Sequence, residues 1–351
     1  MTGAALCAVL AVIVAGWLVR DIRAVDAGEL WRYWAGYREA RPRAMAATAP
    51  LDAGLLVVYV VATVAALRSS VAATALVATG VITLAVRLPG LWGIGSSRME
   101  TLFSDDLRSR ALICVFVALA AGIALLITAG AGRRPPAGSY ERLPSRPGPG
   151  ASVTAFLMLG AAGAVLIAWE IRQAVRYPEI YPEWYVGGDR VPQGVIDPPP
   201  GWGTAALALL CLVAAASALF HAVHARPFGL VAAALLLPGG AAGVARIVHY
   251  DLLDDFGSLP TETQLMLLSW IFELVAGLVV LIALAPGGLA DVPGPYGPGQ
   301  GPGYGPPDSG PPGYGPTPYP GQRPPAPGYG YPQGGGGFGP PPPPSQPPPG
   351  W

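Results

Sequence analysis

Residues 111–130 read ALICVFVALAAGIALLITAG, twenty consecutive positions without a charge. At about 1.5 Å per residue such a helix is about 30 Å long, the thickness of a bilayer's hydrocarbon core. Seven further segments have the same character, at about 3–19, 50–67, 70–87, 151–170, 203–221, 228–246 and 265–286. The second is the shortest, because Asp52 and Arg68 bracket only fifteen uncharged residues. It is expected to begin just after Ala49-Pro50, with Asp52 at the interface. The first lacks the basic n-region and small-residue cleavage site of a signal peptide, so it counts as a span. The expected fold is an all-α polytopic membrane protein of about eight transmembrane helices.

Composition points the same way. Hydrophobic residues make up 52% of the 351, charged residues 12%, and mean hydropathy is +0.46. Soluble domains carry about 25% charge, so the solvating surface of one is missing. Residues 292–351 hold 23 of the 41 prolines and 18 of the 48 glycines, so the excess of both is mostly a C-terminal tail. Pro-Gly-Tyr-Gly recurs around Tyr304, Tyr314 and Tyr329, and Pro340–Pro344 is a polyproline run. A segment almost without aliphatic residues cannot offset the entropy of ordering, so a disordered tail is expected from 291 onward. Such a tail can dock into an aromatic groove at little entropic cost, and a protein partner is expected there if anywhere.

The 21 basic and 21 acidic residues balance, which argues against nucleic acid as a partner and leaves the lipid bilayer as the main one. All the basic residues are arginine, so neither a lysine Schiff base nor a P-loop is available. With so much Ala, Gly and Pro, this is the composition of a GC-rich bacterial coding sequence. Cys7, Cys114 and Cys211 lie inside apolar runs and read as small buried residues. No CxxC or HExxH motif occurs, and no metal or other cofactor is expected.

The spans are joined unequally. Two and three are linked by a tight hairpin, as are six and seven, while the remaining loops are longer and hold most of the charges and aromatics. The order of span, long loop, hairpin, medium loop and span therefore occurs twice, with local echoes. Ile22-Arg23-Ala24-Val25 parallels Ile171-Arg172-Gln173-Ala174-Val175, and Glu29-Leu30-Trp31 with Trp34 parallels Glu179-Ile180-Tyr181 with Trp184. Arg87 closes span three as Arg246 closes span seven, Asp105-Asp106 parallels Asp254-Asp255, and Leu119-Ala-Ala-Gly122 parallels Leu274-Val-Ala-Gly277. Two four-helix repeats are expected, over 1–132 and 151–290, joined by an Arg/Pro-rich linker at 133–150. Four spans is an even number, so the repeats enter from the same side and are parallel. Small residues such as Gly160–Ala164, Gly239–Gly243 and Ala120–Gly122 should pack the interior.

The long-loop side carries 14 of the 21 arginines, which by the positive-inside rule would be cytoplasmic. Those loops are also longer and hold most of the acids, whereas the central linker concentrates Arg133, Arg134, Arg142 and Arg146 against Glu141 alone. On that ground both termini are expected in the cytoplasm of a cell-membrane protein.

Three groups of residues are candidates for function. Glu273 is the only charge deep in a span, and Leu237-Pro238-Gly239-Gly240 interrupts span seven, with Thr79-Gly80 at the matching place in span three. A broken helix beside a midplane carboxylate is a common membrane binding site for a ligand or proton, although a protonated, structural Glu273 accounts equally for the pattern. The second group is expected at the surface: Arg246, His249, Asp251, Asp254 and Asp255, with Arg87, Glu100, Asp105 and Asp106 as its counterpart. It can bind a hard cation through oxygen or simply be a solvated, arginine-paired interface. The third is aromatic: Tyr177, Tyr181, Trp184, Tyr185 and Trp202, repeated in the first loop by Trp31, Tyr33, Trp34 and Tyr37. Anchoring at the headgroups is the ordinary work of Trp and Tyr there. His221 and His224 in the second hairpin have no acidic neighbour in sequence and read as interfacial.

The expected function is a non-enzymatic membrane scaffold or assembly module with an interaction tail. The alternatives are a small-solute or proton-coupled transporter using Glu273, and a membrane-embedded transferase acting on a lipid-linked substrate through the acidic loops.

Overall fold

The computed structural model describes residues 1–40, 45–68, 73–131, 145–191, 193–285 and 289–290. Among these residues are twelve α-helices. They are α1 (Thr2–Val25), α2 (Ala27–Ala35), α3 (Pro50–Arg68), α4 (Ala73–Arg87), α5 (Gly90–Gly93), α6 (Ser97–Leu102), α7 (Asp105–Ala131), α8 (Pro149–Arg176), α9 (Tyr181–Val186), α10 (Pro200–Leu219), α11 (Ala225–His249) and α12 (Thr261–Leu284). A two-residue antiparallel bridge, β1 (Ser145–Arg146) with β2 (Leu289–Ala290), joins the segment before α8 to that after α12. The expected linker lies outside the described residues up to 144, as does the whole expected tail from 291.

Eight helices, α1, α3, α4, α7, α8, α10, α11 and α12, are long and apolar enough to cross a membrane. Several overrun the apolar segments that announce them. α7 starts at Asp105, six residues before its apolar run, and α8 continues to Arg176. Hydropathy measures the hydrocarbon thickness, whereas a helix continues until its backbone finds other partners. Asp105 and Asp106 in the first turn of α7 favour that start, because carboxylates complement the helix's positive end. The outer faces expose Val12, Ile127, Leu209 and Ile282, as lipid-facing helices do.

The helices pack as two sets of four with one pattern of contacts. In the first set α1 lies on α3, α4 on α7, α3 on α4, and α1 on α7. In the second α8 lies on α10, α11 on α12, α10 on α11, and α8 on α12. The sets meet through their hairpins, where α11 packs on α3 and α4, and α10 on α4. One apolar core runs through both, including Leu10, Leu55, Tyr59, Leu125, Leu159 and Leu236.

The expected interruption at Leu237–Gly240 is absent: α11 is helical through Pro238. Pro238 has no N–H, so the carbonyl of Ala234, four residues back, loses its helical donor. Gly54 of α3 sits on that spot, where a Cβ would stand 2.7 Å from Ala234 O and 3.3 Å from Pro238 Cγ. Without a side chain, α3 can close over the freed carbonyl. On another side Gly240 lies against the Leu274 backbone of α12. Neighbouring helices thus pack against α11 where its own sequence would let it open.

Candidate functional site

The charged groups that the fold buries, Asp21, Asp52, Arg87 and Glu170, gather on the long-loop side, where the two helix sets exchange loops. Arg87, at the end of α4, is 5% exposed rather than at the surface. Its Nη2 donates to Asp52 Oδ1 at 2.5 Å, and its Nη1 donates to the Ile196 carbonyl at 2.8 Å. Asp52 is 1% exposed, and its Oδ2 accepts from the Ala49 amide at 3.0 Å. The pair therefore reaches from the first helix set into the loop between α9 and α10.

That loop carries Asp197, whose carboxyl hydrogen-bonds the carboxyl of Asp52. Its Oδ1 is buried and accepts from no N–H donor among the described residues, while the Gly194 amide donates to the same carboxyl. Burial first, and then the charge of Asp52, push the Asp197 carboxyl well above the usual carboxylate range, against the pull of Arg87. Gln193 Nε2 fixes the loop by donating to the Asp197 carbonyl at 2.7 Å. At Gly194 a Cβ would lie 2.8 Å from the Ala47 carbonyl and 3.0 Å from Asp197 Oδ2. Only glycine lets the two loops touch there.

A second carboxylate organises the first loop. Asp21, fully buried near the end of α1, accepts at Oδ2 from the Ala47 and Thr48 amides, both at 2.9 Å, and from Thr48 Oγ1 at 2.6 Å. Arg20 Nη1 donates to its Oδ1 at 2.6 Å. Glu170 does similar work near the end of α8, accepting from Trp184 Nε1 at 3.2 Å and from the Tyr185 hydroxyl at 2.9 Å. Each long loop is tied back to the helix it leaves.

The loops then cross. The loop after α8 lies on the first set: Trp92 Nε1 donates to Val186 O at 2.9 Å, Trp202 Nε1 to Ala85 O at 2.6 Å, and Arg98 to the Asp189 carbonyl. The loop after α1 lies on the second set. Arg246 Nε donates to Ala35 O at 2.7 Å, with its guanidinium 4.9 Å from the centre of the Trp270 ring. Tyr37 donates to Ala245 O at 3.2 Å and stacks on His249 at 3.9 Å, while Glu39 accepts from His249 and Tyr250.

Beneath Arg87 is a narrow cavity of about 10 Å³, room for about one water. Leu10, Val14, Trp17, Tyr59, Cys114 and Ala118 line it, with Arg87 and Ile196 at its polar end. Glu273 is not among the residues that line it.

Glu273 itself is half-buried on α12, facing Gly239. No hydrogen-bond or ion-pair partner for its carboxylate is found among the described residues. The acidic groups expected together are dispersed. Asp105 pairs with Arg108 at 2.5 Å and Asp106 with Arg110 at 2.9 Å along α7, while Glu100 also meets Arg108. Asp251, Asp254 and Asp255 are exposed beyond the end of α11. No set of three His, Cys, Asp or Glu among the described residues converges as metal ligands would. Of the aromatic loop residues, Trp184, Tyr185 and Trp202 are structural hydrogen-bond donors, while Trp31 and Tyr177 remain exposed. Asp197, Asp21 and Glu170 were not legible as site residues, because an acid in or beside a loop is ordinarily solvated. Asp21 and Glu170 share one sequence signal, a carboxylate at a span's end followed by an aromatic loop, and Asp197 has none.

No protein-family model matches this chain, and neither curated proteins nor solved structures show a match to it.

Proposed function

We propose that the chain is a multi-pass cell-membrane scaffold, built from two parallel four-helix repeats and carrying its Pro/Gly/Tyr-rich tail as an interaction arm. The observation that carries this reading is the reciprocal loop exchange: Arg87 of the first set holds Ile196 of the second, and Arg246 of the second holds Ala35 of the first. Alternating access works by rocking one repeat against the other. Loops crossed in both directions oppose that motion and favour a body of one shape. The matching contact patterns of the two helix sets, and Gly122 with Gly277 at their matching crossings, support the duplication. An even number of spans puts both termini on one side, and the arginine-rich linker favours the cytoplasm.

Spin labels at the exposed positions Asp105 and Asp254, one on each set, test the reading in liposomes. A scaffold gives one narrow distance that ignores pH gradients and solutes. Two populations that exchange under a gradient would favour the carrier instead. The carrier stays the second reading because Glu273 faces Gly239 without a described partner. A transferase has less behind it, since it needs acids converging in one cleft and Asp105 and Asp106 pair along their own helix.

A further inference from the structure

The contact between Asp52 and Asp197 has a requirement that the ion pair beside it does not. Two ionised carboxylates are both acceptors only, so a hydrogen bond between them needs a proton. Both oxygens of Asp52 already accept, Oδ1 from Arg87 and Oδ2 from the Ala49 amide, so the proton belongs to Asp197. Asp197 has less support: the Gly194 amide alone donates to its carboxyl, and its Oδ1 is buried without an N–H donor, an arrangement costly for an anion and tolerable for a neutral acid. With a proton on Asp197 the buried group is Arg87⁺, Asp52⁻ and a neutral acid, with no net charge. Without it, one uncompensated negative charge remains in a desolvated place. We propose that Asp197 and Asp52 form a proton-binding site whose proton latches the loop between α9 and α10 onto the first helix set.

The surroundings offer no substitute for the proton. Arg87 on α4 and the Gly194 amide reach Asp197, and Tyr59 on α3 stands within electrostatic reach of Arg87 and Asp52. Tyr33 on α2 stands within electrostatic reach of Asp197, with Asp21 on α1 and Arg98 on α6 beside it. Asp21 is already saturated by two amides, a hydroxyl and Arg20. Arg98 is directed to the Asp189 carbonyl. The sign of the pH dependence follows. Latching raises the Asp197 pKa above its ordinary value, so the contribution is complete below that ordinary value. It declines as pH climbs towards the raised value and is gone above it. This is the reverse of an aspartate held by a salt bridge, and it makes the loop open on the alkaline side. The proposal does not rest on the scaffold reading: a rigid body and a carrier can each carry such a latch.

The test uses the full chain in liposomes. Infrared spectra recorded across pH should show the carbonyl stretch of a protonated carboxylic acid persisting above the ordinary aspartate range. Asp197→Asn should remove the component of that band that isotope-labelled aspartate shifts, and Glu273→Gln should leave that component in place. Isotope-labelled aspartate in the wild-type chain should shift it, a measurement that needs no variant to fold. Amide hydrogen exchange over 187–199, corrected for intrinsic chemistry, should rise as pH climbs, by up to about tenfold per pH unit between the ordinary and raised values. In Asp197→Asn that rise should be absent. A band with no component shifted by labelled aspartate, such a component retained in Asp197→Asn, or wild-type exchange over 187–199 that is flat with pH would overturn the proposal.

Discussion

The third and seventh spanning helices both end on an arginine that reaches into the other half's loop, yet the two ends are built differently. Arg87 is 5% exposed and bound to a buried carboxylate as well as to a carbonyl. Arg246 is half-buried, binds the Ala35 carbonyl, and rests on the Trp270 ring without any acid. A carbonyl and an aromatic face are therefore enough to hold a loop. The ion pair at Arg87 is an addition whose desolvation must be offset elsewhere, and what it adds is dependence on charge.

The largest expected effect breaks that addition. Arg87→Met leaves Asp52 buried and unpaired, and should cost about 3–5 kcal/mol in detergent or bicelle unfolding. Combining it with Asp52→Leu should recover most of the loss, because the orphaned charge goes with the arginine. Recovery that fails would mean the guanidinium matters mainly through Ile196. Arg246→Met should cost less, about 1.5–3 kcal/mol, the worth of a charged hydrogen bond to a carbonyl. Equal costs at the two arginines would erase the distinction drawn between them. Glu273→Gln should move stability by under about 1 kcal/mol, since no described partner is lost, and should leave proton flux in proteoliposomes unchanged. A folded variant with altered flux would promote the carrier reading. The smallest effect belongs to deletion of residues 292–351, which contain no apolar face and should leave the Tm of the bundle where it was. A fall of many degrees would show that the tail supports the helices.

Much of the architecture could be read from uncharged run lengths, because hydrocarbon thickness leaves helices few alternatives. Residues 111–130 announce α7, and Gly54 or Gly240 mark close approaches only once their neighbours are known. The site was less legible. Arg87 was visible as the end of a span, but its burial depends on Asp52 and on a loop contributed from beyond the linker. Asp197 sits in a Pro-rich stretch, Val195-Ile196-Asp197-Pro198, and no local pattern separates it from a solvated loop acid. Pro238 shows the opposite failure. Its local chemistry signals a break, and packing by Gly54 and Gly240 from two other helices overrules it.

The crossing of the loops also fixes an order of events during synthesis. Arg87 precedes its acceptor Ile196 by 109 residues, which at translation rates of about 5–20 residues per second is about 5–20 s. Throughout that interval the first four helices hold a charged group whose final partners are incomplete. The Ala234 carbonyl freed by Pro238 meets the reverse situation, since Gly54 has been in place long before it emerges. The N-terminal half thus waits for the C-terminal half, while the C-terminal half finds a prepared surface. The chain matures only when its second half has been made.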